Sequence, residues 1–323
     1  MRLSGAVRLP EGRVWDWLPL AIIIALALAG IIVAVIITPS FLTVDNIRAI
    51  LRNASIVGIV AVAMTPMTLS GNFVSLAIGQ SAMLAMVCFV ALVGDGWPQP
   101  LAIIVVVAGL IVVGVMQGAI VATGLNPIIT TLAAGAIIFG VVTEITGAGI
   151  VRTGDYLIGW GSGTVAGIPI QVLIFLIFTV VVSILMSRTV LGRETTLVGA
   201  NRATARISGI SFTRVTILAF VIFSVGLAIA GILNGAAFNQ ATSRSFPNLT
   251  IDAIAALLVG GTAIQGGHGS PLRSAGGALF IAVISSMMVL NDFSTGGRLA
   301  VQGGVVVAVV VLLHELRRRR EVR

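Results

Sequence analysis

The 323-residue chain is too apolar for a soluble globular protein. Hydrophobic residues make up 58% of it and charged residues 9%, against about a quarter charged residues in ordinary soluble domains, and its mean hydropathy is +1.13. The net charge of +8 comes from arginines scattered between apolar runs, which does not indicate a nucleic-acid partner. The single cysteine, Cys88, excludes a disulfide within the chain and a cysteine-based metal cluster. No metal and no cofactor is predicted.

Continuous apolar runs predict an all-α membrane protein, a polytopic helical bundle of about ten transmembrane segments. A run of about 20 residues matches the hydrocarbon thickness, and a helix satisfies its own backbone hydrogen bonds in lipid. The third and eighth segments are broken or short, so we expect them to be partly re-entrant. The predicted segments are Leu18–Ile37, Ile47–Leu69, Leu76–Val93, Leu101–Ala122, Pro127–Thr146, Ile168–Ser187, Val215–Phe238, Ile251–Ala263, Leu272–Leu290 and Leu299–Leu316.

The arginines predict the orientation, because basic residues accumulate in short cytoplasmic loops. With the amino terminus inside, fourteen of the nineteen arginines face the cytoplasm, and both termini are cytoplasmic. Residues 1–17 then form an amino-terminal tail, and residues 18–316 form one transmembrane domain with a cytoplasmic loop at 188–214. Residues 317–323 form a basic tail that anionic lipid attracts.

Glycine pairs four residues apart predict close helix packing. Gly114 and Gly118 form one pair, and Gly231 and Gly235 form another. A missing side chain at this spacing lets two helices approach closely.

The loop between the sixth and seventh segments contains a short helix signal, LVGANRATARISGI. Asn201 is a favourable N-cap, and Gly209 can take the left-handed conformation that ends a helix. About two turns are too short to be stable alone, so we expect support from the bundle, the bilayer or a partner protein. Arg202 and Arg206 share a face, which indicates an anionic partner, either lipid phosphate or another protein.

Three blocks of the sequence resemble permease subunits of ribose-type ABC importers, the monosaccharide and autoinducer-2 branch. They are FLTVDNIRAILRNASIVGIVAVAMTPMTLSGNF, LGRETTLVGANRATARISGISFTRVTILAFVIFSVGLAIAGIL and IDAIAALLVGGTAIQGGHGSPLRSAGGALFIAVI, in the family's order. Two positions depart from the pattern. Arg202 stands where the family often has an acidic residue, and Ser75 stands where aspartate is usual.

The resemblance implies an assembly of two permeases and two ATPases. The second permease is identical or different, the ATPase has tandem or paired P-loop domains, and a periplasmic or lipid-anchored solute-binding protein delivers the solute. The cytoplasmic loop is implied to dock in a groove of the ATPase. The residues implied in this coupling are Gly199, Asn201, Arg202, Ala203, Ala205, Arg206, Ser208 and Gly209.

The chain carries no phosphate-binding loop of its own. The nearest approach, GGTAIQGGHGS, has His268 where that loop requires lysine. We therefore expect ATP hydrolysis in a separate polypeptide and predict that this subunit is not an enzyme. Glycine in this segment is instead expected to allow backbone bending, at Gly260, Gly261, Gly266, Gly267 and Gly269.

A sugar-type solute is recognised by amides and hydroxyls rather than by charge. Each polar candidate could equally bridge two helices. Glu144 is included because an ionisable residue at membrane depth is a functional candidate. The candidates for the translocation path are Asn72, Gln117, Asn126, Thr130, Thr131, Glu144, Asn234, Asn239 and Gln302.

Together these features predict the permease subunit of a binding-protein-dependent ABC importer in the bacterial inner membrane. It would translocate a monosaccharide or related polyol by alternating access. A branched-chain amino acid or nucleoside permease of the same superfamily remains an alternative. An ion-coupled secondary carrier or channel is a third reading, and it requires transport by the chain alone that depends on Glu144.

Overall fold

The structure is mostly helical, as predicted. It is a computed structural model that describes residues 36, 38, 40–72, 74–147 and 149–321, with the backbone alone for residues 309, 310 and 312–321. Its helices are α1 (Val44–Leu69), α2 (Ile78–Gly94), α3 (Gln99–Ala122), α4 (Pro127–Thr146), α5 (Ile170–Arg188), α6 (Val190–Ala200), α7 (Arg202–Ile207), α8 (Phe212–Phe238), α9 (Leu249–Val259), α10 (Pro271–Leu290) and α11 (Thr295–Glu321).

Four short strands follow α4 and α8. Strand β1 (Ile150–Arg152) pairs antiparallel with β4 (Gln240–Thr242), and β2 (Thr164–Val165) pairs antiparallel with β3 (Ile168–Pro169). The sequence predicted helices only. Strands of two or three residues are too short to produce the alternating pattern by which strands are recognised.

Helices α1 and α8 form the centre of the bundle. Helix α8 packs against α1, α2 and α3, and α1 packs in addition against α5, α9 and α10. Ile59, Phe220 and Phe223 are fully buried in the cluster that these helices share. Movement at the end of either helix would therefore be transmitted to most of the bundle.

The glycine pairs lie at close helix contacts, as predicted. Gly114 of α3 faces Ser224 of α8, and Gly231 of α8 faces the backbone of Ala82 in α2. A Cβ at either glycine would overlap its neighbour. These positions allow α8 to lie directly against α2 and α3.

Within the described residues, six helices are long and apolar enough to cross a membrane: α1, α3, α4, α5, α8 and α10. Helices α2 and α9 are apolar but only 17 and 11 residues long, in agreement with the short third and eighth predicted segments. The predicted tenth segment lies within α11. The predicted first segment and the tail before it lie outside the described residues, apart from residue 36. The described helices fit a multi-pass membrane protein.

Candidate functional site

Three distant segments meet at one end of the bundle. They are the end of α1 with the residues that follow it, the hairpin formed by α6 and α7, and the glycine-rich loop between α9 and α10. The Gly267 N–H donates to the Leu69 carbonyl at 2.9 Å. Gly199 lies against the same carbonyl and against the Gly267 nitrogen, with no room for a Cβ. We call this contact between Leu69, Gly199 and Gly267 the hairpin seat.

Helix α7 has the predicted caps. The Asn201 side chain accepts a hydrogen bond from the Thr204 N–H at 3.0 Å, and Gly209 ends the helix with φ of +77°. Ala205 is buried with Val198 and Val215 in a small apolar cluster. The support that so short a helix needs therefore comes from α6 and α8 of the same chain.

The sequence did not predict α6 as a separate helix. Thr189 caps its amino terminus by accepting from the Gly192 N–H at 3.4 Å. The hydroxyls of Thr195 and Thr196 bond back to backbone carbonyls one turn earlier. Glycine and threonine are weak helix formers, so the helix depends on its packing against the end of α5, where Gly192 lies against Met186.

Arg202 and Arg206 are directed to different surroundings. The Arg202 Nη2 donates to the Gly71 carbonyl at 2.8 Å, and its guanidinium carbon lies 4.4 Å from the centre of the Phe212 ring. Arg206 is exposed, and its guanidinium has no hydrogen bond or ion pair with the described residues. Arg202 therefore ties the hairpin to the residues after α1, whereas the Arg206 guanidinium has no partner among the described residues; the expected anionic partner of this face stays a prediction.

Asn72 belongs to the same end of the bundle. Its side chain is buried, and its Nδ2 donates to the Ser70 Oγ at 2.8 Å and to the Thr216 Oγ1 at 3.1 Å. The Arg202 Nη2 approaches its Oδ1 at 3.4 Å. With these bonds Asn72 connects the end of α1 to α8 and to the hairpin.

The glycine-rich loop depends on its glycines. Gly261, Gly266 and Gly267 have φ of +76°, +94° and +75°, a region that other residues rarely adopt. Gly260 faces the backbone of Arg273, and Gly269 faces Thr262. The loop therefore has a compact shape that brings the Gly267 N–H to the hairpin seat.

Three of the predicted path residues line one groove. Gln117, Asn126 and Thr130 lie in a groove of about 340 Å³ between α3 and α4, with walls that are otherwise apolar. Asn126 also caps α4, because its Oδ1 accepts from the Ile128 N–H at 2.9 Å.

The other predicted path residues are dispersed. Thr131 accepts from the Leu76 N–H at 3.1 Å, and Asn239 accepts from the Ile158 N–H at 2.7 Å. The Gln302 Nε2 donates to the Asp252 Oδ1 at 2.7 Å. Glu144 is exposed near the end of α4. These side chains do not converge on one solute site.

Asn234 lines a second cavity, at the end of the bundle opposite the hairpin. The cavity measures about 380 Å³ and lies between α1, α5 and α8. Its other polar lining residues are Arg52, Asn53, Ser162 and Gln171, which the sequence analysis did not select. The available signal was weak, since these residues stand near the ends of predicted segments, where polar residues are common.

The family is identified by a match over residues 46–310 to the permease component of the branched-chain amino acid transport system. The chain belongs to this permease family. In this permease, the match covers every described helix from α1 to α10 except the first two residues of α1.

Named relatives extend over most of this permease. It is 30% identical to the ribose import permease of Haemophilus influenzae over 91% of its own length and 90% of the relative's. It is 30% identical to the ribose import permease of Bacillus subtilis, over 88% of each chain. The autoinducer 2 import permease of Klebsiella pneumoniae is 26% identical, over 89% of each chain. No solved structure gave a significant match.

Proposed function

We propose that this permease is the membrane-spanning subunit of an ATP-driven, binding-protein-dependent importer for a monosaccharide or related polyol. The relatives named above import ribose or autoinducer 2, and a further relative in Escherichia coli is a D-allose permease with 30% identity over 59% of each chain. We place the subunit in a bacterial inner membrane with a second permease, a P-loop ATPase and a solute-binding protein.

The proposed topology has about ten segments with both termini in the cytoplasm. On this topology the hairpin at 188–214 and the basic tail at 317–323 face the ATPase side, and β1 and β4 face the outside. The alternation of the described helices supports it, because the end of α1, the hairpin and the loop before α10 meet at the hairpin seat. The cavity near Asn234 then opens toward the solute-binding protein.

The observation that carries this proposal is the hairpin seat. An ATPase that displaces α7 would act on Gly199 through α6, and Gly199 lies against the Leu69 carbonyl without intervening side chain. Leu69 ends α1, one of the two central helices. The hairpin thus transmits its displacement to the core of the bundle, which shifts it between outward-open and inward-open states.

Arg206, the exposed cation of the hairpin, allows a test of this coupling. In vesicles that contain the permease, its ATPase and its binding protein, Arg206→Glu should lower sugar uptake per ATP hydrolysed, because a reversed charge repels an acidic ATPase groove. Arg206→Lys keeps the charge and is the matched control. Equal uptake per ATP in both variants and the unmodified chain would remove the hairpin from the coupling path.

A further inference from the structure

The cavity between α1, α5 and α8 has the dimensions of a small-molecule site. Its volume of about 380 Å³ falls in the range of roughly 300–1,000 Å³ that such sites occupy. Ile56, Leu233 and Phe238 supply apolar wall. It lies far from the hairpin along the bundle, because α8 begins beside the hairpin and Asn234 is near its other end.

Gln171 places a buried polar atom without a partner among the described residues at this cavity. It lies in the first turn of α5 and is 3% exposed. Its Nε2 donates to the Gly161 carbonyl at 2.5 Å, which fixes the orientation of the amide. Its Oε1 is buried and accepts no hydrogen bond from the described residues. Buried polar atoms in folded proteins almost always have a partner, so a donor from beyond the described residues is expected here.

The other polar lining residues complement this acceptor. The guanidinium of Arg52 lines the cavity and has no hydrogen bond or ion pair with the described residues. Asn53 and Asn234 can both donate and accept. A sugar hydroxyl also donates and accepts, so neighbouring hydroxyls can bond to an arginine and an amide oxygen together. Among the described residues, no acidic side chain lines the cavity. An amino acid would leave its ammonium group without a carboxylate partner.

We infer that this cavity is a solute subsite for a polyhydroxylated molecule, in which the Gln171 Oε1 accepts a hydroxyl hydrogen and Arg52 donates to a neighbouring oxygen. The inference rests on the proposed function and adds to it the residues that contact the sugar. It also favours a sugar over an amino acid as cargo.

The test measures uptake against sugar concentration in vesicles that contain the permease, its ATPase and its binding protein. The probe is whichever of D-ribose and D-allose the unmodified chain takes up. Gln171→Met removes the acceptor, together with the donor to the Gly161 carbonyl, at similar size. We expect uptake at low sugar concentration to fall about fivefold, the effect of one lost hydrogen bond to the sugar. Thr179→Val is the matched control, because Thr179 is in the same helix, is buried and also has a hydroxyl without a partner.

A second pair of variants avoids the buried position. Arg52→Gln should raise the sugar concentration required for half-maximal uptake, whereas Arg48→Gln, one turn earlier in α1 and outside the cavity lining, should not. If Gln171→Met and Arg52→Gln both take up the sugar as the unmodified chain does, the subsite is overturned and the proposed function remains intact. Equal losses in Gln171→Met and Thr179→Val would also overturn it. Failure of the unmodified chain to take up either sugar would instead overturn the proposed function.

Discussion

The Gly267 N–H donates to the Leu69 carbonyl at 2.9 Å, and this bond joins the glycine-rich loop to the end of α1. Gly199 of the hairpin lies against both partners. The donor and the acceptor of this bond thus lie so close to Gly199 that only glycine fits at position 199. A displacement of the hairpin must consequently shift this bond, the end of α1, or both.

Gly199→Ala tests the fit of the hairpin seat. The added Cβ overlaps the backbone of Leu69, which cannot rotate away, and overpacking of this kind costs about 1–3 kcal/mol. We expect lower thermal stability in detergent and a loss of ATP-coupled uptake. Gly140→Ala is the control, because Gly140 in α4 has no neighbour within 4 Å of a built Cβ. If the thermal stability and the ATP-coupled uptake of Gly199→Ala equal those of Gly140→Ala, the hairpin seat is not tightly packed.

Arg202 is predicted to hold the hairpin against the bundle. Arg202→Ala removes a charged hydrogen bond to the Gly71 carbonyl and the contact with the Phe212 ring. The site is exposed, so the expected loss is modest, about 1 kcal/mol. Limited proteolysis of the loop at 188–214 should become several times faster. Arg206→Ala removes an equal charge without these contacts and should be cleaved at the rate of the unmodified chain. Faster cleavage of Arg206→Ala than of Arg202→Ala would contradict the role given to Arg202.

Asn201→Ala tests the cap of α7. The Asn201 Oδ1 accepts from the Thr204 N–H, and loss of such a cap costs about 1 kcal/mol. Hydrogen exchange of the α7 amides should therefore accelerate about fivefold, and Asn201→Asp, which retains an acceptor oxygen, should restore protection. Unchanged exchange in Asn201→Ala would mean that packing of Ala205 alone stabilises the helix.

Gln302 is predicted to bridge helices through Asp252. Gln302→Leu leaves the Asp252 carboxylate without its 2.7 Å donor and, among the described residues, with only the charge of Arg298 nearby, and loss of a partner by a partly buried carboxylate lowers the free energy of unfolding by about 1–3 kcal/mol. Replacement of both residues by leucine should recover part of this loss, because the carboxylate that lost its donor is then absent. Thermal unfolding in detergent measures both. If the double variant is less stable than Gln302→Leu, the pair is not an isolated bridge.

Local chemistry explains what the sequence could predict. The cap at Asn201 and the left-handed Gly209 are properties of neighbouring residues, and the glycine spacings lie within single helices. The hairpin seat and the Arg202 contact are different, because their partners are far apart in the chain. Arg202 and Gly71, for example, are separated by 131 positions. Hydropathy identifies which helices lie in the membrane but contains no information about which of them touch.

The same limit explains the solute candidates. Asn72, Thr131 and Asn239 were selected because they are polar, yet each is used in hydrogen bonds that join elements of the fold. Gln171 was overlooked because a glutamine at the start of an apolar segment is unremarkable in sequence. Only the packing around it reveals that its Nε2 is bonded and its Oε1 is not.

The central claim is that this permease is a passive path driven by a separate ATPase, and sugar accumulation in sealed vesicles tests it most directly. With the ATPase, the binding protein and ATP present, internal D-ribose or D-allose should rise above the external concentration and be unaffected by a proton uncoupler. Without the ATPase, the internal concentration should never exceed the external one. Accumulation by the purified permease alone, abolished by the uncoupler, would contradict the account and identify an ion-coupled carrier.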